Sequence, residues 1–229
     1  MVIRKYPIGV MLVWLLTASA SMGLHAQEHA AYNLVESTTR QVMDVVVAAE
    51  AYVETDPERY YSQIQDLLDP LIDFRGFARK VMGPYASSAR YRSLDDNGKQ
   101  QLKDQLDRFT AEMRASLVRT YSKGLLTFGG SRIELVPPTS DQSAEAGDTD
   151  TARLSVRQLI YADRKKPYEV IYQMGEEKPD QWKLRNVIIE SVNLGEVYRD
   201  QFLASARELD GNLDQVIANW TTVVVDVEK

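Results

Sequence analysis

The chain has 229 residues, a formal charge of −6, 44% hydrophobic and 26% charged residues, no cysteine and two histidines. That length and balance fit a single globular domain whose core needs no cross-links. The missing cysteines exclude disulfide scaffolds, thiolate zinc sites and thiol nucleophiles, and the acidic balance argues against nucleic acid as a partner.

Arg4 and Lys5 precede an uncharged, mostly apolar run from Ile8 to Ala20, and Leu24-His25-Ala26 places a small residue before Gln27. This is the pattern of a cleavable export leader over residues 1–26. The apolar run is shorter than the ~20 residues a membrane-spanning helix needs, and no cysteine follows it to carry a lipid. A periplasmic mature protein over 27–229 is expected, as one domain. It keeps His29 as its only histidine, so a histidine base or multi-histidine metal site is not expected. No phosphate-binding, dinucleotide-binding or nucleophile-elbow motif occurs, so no cofactor is expected.

The mature chain opens with helical spacing. Leu34, Val35, Thr38, Val42, Val45, Val46, Ala49 and Val53 recur at threes and fours, which predicts an amphipathic helix from about Leu34. Asp56-Pro57 starts a second helix, stopped near Pro70. Asp73 caps a third, from Phe74 to Met82, ending at Gly83-Pro84. Ser93 and Asp95-Asp96 open the longest helix, with Leu102, Leu106, Phe109, Met113, Leu117, Tyr121 and Leu125 on one stripe, ending near Gly129-Gly130.

Then the periodicity changes. Arg132 to Val136 predicts a strand, and Thr139 to Thr151 a polar, acidic hairpin loop. Arg153 to Ala162, Tyr168 to Gly175 and Trp182 to Ser191 predict three more strands, joined by turn-rich connections at Asp163–Pro167 and Glu176–Asp180. A helix from Leu194 to Leu209 follows, then a break at Gly211-Asn212 and a last helix from Leu213 to Val225. Helices first and a meander later mean an α+β fold.

Strict alternation puts Val187 and Ile189 on one face of the last strand, with Leu184 and Ile188 on the other. Tyr168, Val170, Tyr172 and Met174 share a face of the strand before it, with Ile171 opposite. A sheet apolar on both faces needs cover on both, from helices or from an apolar ligand, and both readings stand. Reactive candidates are few. Glu190 ends an apolar strand, where burial raises a carboxyl pKa, yet a half-exposed carboxylate is the simpler reading. Asp95-Asp96, Glu176-Glu177 and the basic tip Arg164-Lys165-Lys166 read most simply as solvated surface.

Several blocks carry a resemblance. Asp73-Phe74, Phe77-Ala78, Val81-Met82-Gly83 and Tyr85 form one, followed by Thr120-Tyr121 and Val136-Pro137. The longest is Trp182-Lys183-Leu184-Arg185-Asn186-Val187-Ile188-Ile189-Glu190-Ser191-Val192-Asn193-Leu194, continuing through Tyr198-Arg199-Asp200-Gln201-Phe202 to Gly211-Asn212-Leu213. In this order they resemble the MlaC family of periplasmic phospholipid-binding proteins, also called toluene-tolerance proteins. The resemblance implies a twisted antiparallel sheet of about four strands, wrapped by N- and C-terminal helices around an internal apolar cavity. It implies a phospholipid shuttle without catalytic residues or cofactor. The partners implied are an inner-membrane ABC transporter and an outer-membrane lipoprotein–porin complex. Two positions depart from the family pattern. Ser93-Leu94-Asp95-Asp96 replaces a Thr-Pro-Glu-Gln cap, and Ser191 stands where many members have glycine, beside the expected pocket wall.

Spacing and parity suggest the lining. Tyr121 and Leu125 share a helix face; Val156 and Ile160, Tyr172, Val187 and Ile189 share strand faces, with Val192 just beyond. Phe74, Val81 and Tyr85 are placed to close the entrance. The same positions suit ordinary core. A hopanoid or quinone carrier, an enzyme on a cone-shaped α+β fold with a tyrosine and a carboxylate, and an interaction or chaperone module with a filled core are the competing readings.

Overall fold

The computed structural model describes residues 19–137, 145–146, 152–179 and 181–221, with side chains from residue 30 onward except at 145, 146 and 152. Helix α1 spans Ser19–Ala49. It runs back past Leu34 into the expected leader, whose residues 1–18 lie outside the described part. Val35, Thr38, Val42, Val46 and Ala49 are its buried stripe. α2 (Pro57–Leu68) and α3 (Phe74–Met82) start where the caps predict: Asp56 accepts from the Arg59 N–H and Asp73 from the Gly76 N–H, the latter at 2.9 Å. Gly83, at φ 55°, ends α3 in a conformation that favours glycine, and a short 3-10 turn covers Gly83–Ala86.

Next comes a helix that the periodicity did not announce, α4 (Ser88–Ser93), which buries no residue. Ser93 therefore ends a helix rather than opening one. Asp95 alone caps α5 (Asp96–Leu126), accepting from the Gly98 N–H at 2.7 Å. Along α5, Leu102, Leu106, Phe109 and Met113 are buried, while Leu117, Tyr121 and Leu125 keep partial exposure.

The strands are β1 (Arg132–Val136), β2 (Glu145–Ala146), β3 (Ala152–Tyr161), β4 (Tyr168–Lys178), β5 (Gln181–Ile189) and β6 (Val192–Asn193). They form one antiparallel sheet in the order β1-β3-β4-β5-β6, with β2 also on β3. The four longer strands are those expected. Within the expected polar loop, Glu145 and Ala146 pair with Arg153 and Ala152; the rest of it lies outside the described residues. Glu176 stands opposite Trp182 and Lys178 opposite Gln181, so Glu176-Glu177 belongs to a strand, not a turn. α6 (Leu194–Glu208) and α7 (Leu213–Ala218) close the chain. α7 stops well before Val225, because Trp220 turns inward to meet the Phe109 ring at 4.9 Å; residues 222–225 lie outside the described part.

Three apolar clusters form the core. The largest joins α3, α5, α6 and α7 around Phe109, Tyr198, Phe202 and Trp220. A second packs Ala31 and Val35 of α1 on Leu154, Val156, Met174, Trp182 and Leu184 of the sheet. A third joins α1, α2 and α5 through Val46, Tyr60, Ile64 and Val118. There, the Tyr60 hydroxyl donates to the Ser122 carbonyl at 2.8 Å, and burial lifts its pKa to about 12.

The expected two-sided apolar sheet is apolar mainly on one face. Gln173 pairs with Asn186, but Met174 pairs with Leu184, which makes Arg185 an extra residue in β5. This bulge reverses the alternation, so Leu184 shares a face with Val187 and Ile189 instead of Ile188. The inner face gathers most of the apolar residues of β3, β4 and β5. The outer face carries Arg157, Glu169, Gln173 and Lys183, with Leu159, Ile171 and Ile188 half-exposed among them.

Glu190 and Ser191 join β5 to β6 with φ of 49° and 71°. That two-residue turn needs the left-handed region at both positions. Ser191, expected beside a pocket wall, is thus an exposed turn residue in a conformation that favours glycine. Ser191→Gly is expected to raise stability by about 0.5–1 kcal/mol, seen as a higher melting temperature. Gly195→Ala should do the reverse. A Cβ there falls 2.7 Å from Oδ1 of Asn186, which is buried and accepts from the Gly195 N–H. The expected loss is roughly 1–3 kcal/mol, measured by urea denaturation.

Candidate functional site

The inner face of the sheet is built rung by rung. Val156 stands opposite Tyr172, and Tyr172 opposite Val187. On the next rung Val170 stands opposite Ile189, and Ile189 opposite Val192. Ile133, Ile160 and Tyr168 make a third. All six strand residues expected at the site, Val156, Ile160, Tyr172, Val187, Ile189 and Val192, therefore share this face. Leu184 joins them only because of the bulge, which parity does not reveal.

Cover over the face is uneven. At one end Leu154, Met174, Trp182 and Leu184 are closed beneath α1 and Leu71. Toward the other end Tyr172, Val187, Ile189 and Val192 stay half-buried. Ile160 and Val170 are buried yet packed into none of the three clusters. Val187 touches both the α1–sheet cluster and the large helical one.

The helical residues divide. Tyr121 meets the same cluster as Val187 and Ile189, whereas Leu125, one turn later, packs toward α1 and α2. Phe74 is buried in that third cluster beside Tyr60 and Ile64. Val81 is wholly buried in the large cluster, and Tyr85 sets its ring edge-on to Phe202 at 6.2 Å. Phe74, Val81 and Tyr85 are thus split between two clusters rather than gathered at one opening.

The hydroxyl and amide groups at this face are paired within the protein, while Trp182 Nε1 at the closed end has no hydrogen-bond partner among the described residues. The Tyr172 hydroxyl donates to Oε1 of Gln158 at 2.6 Å, and Gln158 Nε2 donates to Thr39 Oγ1 at 3.0 Å. Gln158 was visible in the sequence only as a residue in step with Val156 and Ile160. The Tyr121 and Tyr198 hydroxyls lie 2.6 Å apart. Burial pushes the phenols of Tyr172, Tyr121 and Tyr198 upward, so all three stay neutral. The face offers apolar area with satisfied hydroxyls, which suits hydrocarbon. Among the described residues no group of three or more His, Asp or Glu is placed to hold a metal ion, and no helix is long and apolar enough to cross a membrane.

Residues 36–222 match the model of the MlaC protein family. The chain belongs to the MlaC family. A curated relative, toluene tolerance protein ttg2D of Pseudomonas putida, is 26% identical over 199 residues, which is 86% of this chain and 83% of the relative. A solved structure, the phospholipid-binding protein from Ralstonia solanacearum in complex with a phospholipid, shares the fold. Its TM-score is 0.58 at 20% identity, over 82% of this chain and 97% of that one.

In this MlaC chain Glu190 is no raised-pKa acid. Its carboxylate takes a 2.8 Å ion pair from Arg164 and the Glu169 N–H, and those bonds hold it below the usual carboxylate range. Arg164 also lies over the Tyr168 ring at 3.5 Å, so the basic hairpin tip is anchored through its first residue. A depressed folded pKa contributes stability above the unfolded value, and that stability is lost as pH falls through the folded one. Glu190→Gln is expected to cost roughly 1–2 kcal/mol at neutral pH. The gap between variant and wild type should shrink as pH drops below about 4.5, the ordinary value for this carboxyl, in urea titrations at several pH values.

Proposed function

We propose that this protein is a periplasmic carrier of phospholipid, with acyl chains seated against the inner face of β3, β4 and β5. The observation that carries the reading is the uneven cover of that face, closed by α1 at one end and half-covered around Tyr172, Val187 and Ile189 at the other. Tyr121, Val156, Ile160, Tyr172, Val187, Ile189 and Val192 form the proposed wall. Phe74, Val81, Tyr85 and Leu125 support it from behind. Family membership and the phospholipid in the Ralstonia solanacearum complex support the choice of cargo.

On this reading residues 1–26 are the leader removed on export, and 27–229 are one lipid-binding domain. Its exchange partners are an inner-membrane ABC transporter and an outer-membrane lipoprotein–porin complex, and the traffic keeps the outer membrane's lipids asymmetric. A carrier is needed on physical grounds. At about 0.8 kcal/mol per buried CH₂, roughly thirty methylenes cost about 20 kcal/mol or more to hold in water. An apolar wall removes that cost, and release then requires a receiving complex to open the carrier. The carrier itself needs no catalytic group, cofactor or nucleotide.

Denaturing the purified protein and analysing the extract by mass spectrometry should yield near-stoichiometric glycerophospholipid. A hopanoid or quinone in its place would replace the cargo, and no lipid at all would overturn the reading. Val187→Glu should still fold, because its carboxylate reaches the half-covered end, while co-purified lipid falls at least fivefold. Failure to fold would mark Val187 as filled core, since an unpaired buried charge costs several kcal/mol.

A further inference from the structure

Residues 75–103 hold seven basic and two acidic side chains, in a chain whose formal charge is −6. The fold gathers this charge. Arg79 and Lys80 end α3, and Arg90 and Arg92 end α4. Between α3, α4 and the start of α5 lies a groove of about 470 Å³, lined by Arg75, Arg79, Arg92 and Lys103 above Tyr91 and Leu102.

The acids at its rim are already engaged. Asp73 pairs with Arg185, and Asp107 with Arg75. Lys103 sits 5.8 Å from the Tyr91 ring centre. Arg79 and Arg92 make no ion pair among the described residues. Basic residues at a helix end also complement its dipole, but that effect does not require residues from three helices to converge on one concave surface. Buried Leu102 and Leu106 belong to the largest core cluster, so the floor is preformed.

We infer that this groove docks an acidic segment of a partner protein, a stretch rich in Asp and Glu with an apolar side chain set over Tyr91 and Leu102. Complementary charge speeds such an encounter and fixes its register. A bilayer is a poorer fit. The large apolar side chain exposed among the described residues is Val47, on α1, so the groove carries no anchor to insert between lipids. A second copy of this chain is also a poorer fit, because two copies that each carry a formal charge of −6 repel one another. The inference is separate from the cargo reading, since no residue of the proposed lipid wall lines this groove.

The test replaces Tyr91 by the photo-crosslinker benzoylphenylalanine in the full chain, in cells that make it, and sequences the crosslinked peptide. The expected result is an adduct to a different protein through an acidic peptide. Reversing charge with Arg79→Glu and Arg92→Glu together should reduce that adduct at least tenfold, while Arg40→Glu on α1 leaves it unchanged. Should the double reversal fail to fold, Arg79→Gln with Arg92→Gln gives the same comparison. Co-purified lipid, measured on the same preparations, should not change with charge reversal, which keeps failure of docking distinct from failure of the cargo reading. An adduct to lipid or to a second copy, a crosslinked peptide without acidic excess, no adduct, or an adduct indifferent to charge reversal would each overturn the inference.

Discussion

Arg185 is the extra residue of β5, and its side chain pairs with Asp73, the residue that caps α3. The chain just before α3 runs beside the same stretch of strand: the Leu184 N–H donates to the Leu71 carbonyl at 2.9 Å, and the Asp73 N–H to the Leu184 carbonyl at 3.2 Å. The point where β5 changes register is therefore fastened to the start of a helix. Without the bulge Val187 and Ile189 turn to the outer face among Arg157, Glu169 and Lys183, and the inner face loses a rung. The mainly one-sided sheet, the half-covered end and the proposed wall all depend on that junction.

The second requirement on an apolar interior is that its polar atoms be satisfied, because an unpaired buried donor or acceptor costs about 1–3 kcal/mol. Much of the interior meets it with pairs drawn from distant parts of the chain, while Trp182 Nε1 and Trp220 Nε1 have no partner among the described residues. Tyr121 on α5 finds Tyr198 on α6, and Tyr172 finds Gln158, which reaches Thr39 on α1. These bonds let tyrosine supply flat, amphipathic area while presenting little to an aqueous competitor. The first pair ties α5 to α6, and the second ties α1 to the sheet.

Features with a local cause were legible in the sequence. The stripe of α5, the caps at Asp56, Asp73 and Asp95, and the four longer strands follow from periodicity and from side chains bonding nearby N–H groups. What was not legible has a cause elsewhere in the chain. α4 buries nothing, so it leaves no periodic trace. The Arg185 bulge is set by pairing with β4 and by Asp73, which parity along one strand does not contain. α7 ends early because Trp220 is drawn to Phe109. Glu190 looked like a candidate for a raised pKa until Arg164 and the Glu169 N–H were placed beside it. At the candidate site, strand parity put Val156 with Ile160 and Val187 with Ile189, and the cross-strand register then brings these together with Tyr172 and Val192. Helical spacing did not separate Tyr121 from Leu125, because facing helices divide a stripe that spacing alone treats as continuous.

The sheet is a meander in which β3, β4 and β5 each pair with the strand next in sequence. Such pairings close short loops and form early. α1 is different: Thr39 meets Gln158 from 119 positions away, and Tyr32 meets the Leu135 carbonyl from 103. The start of the first helix is thus among the last parts of the chain able to dock. Val42 and Val46 meet α2 soon after synthesis, but Ala31 and Val35 have nothing to cover them until the sheet has arrived. The order of synthesis leaves this chain with a long interval of exposed hydrocarbon, in which binding by a holding chaperone competes directly with aggregation.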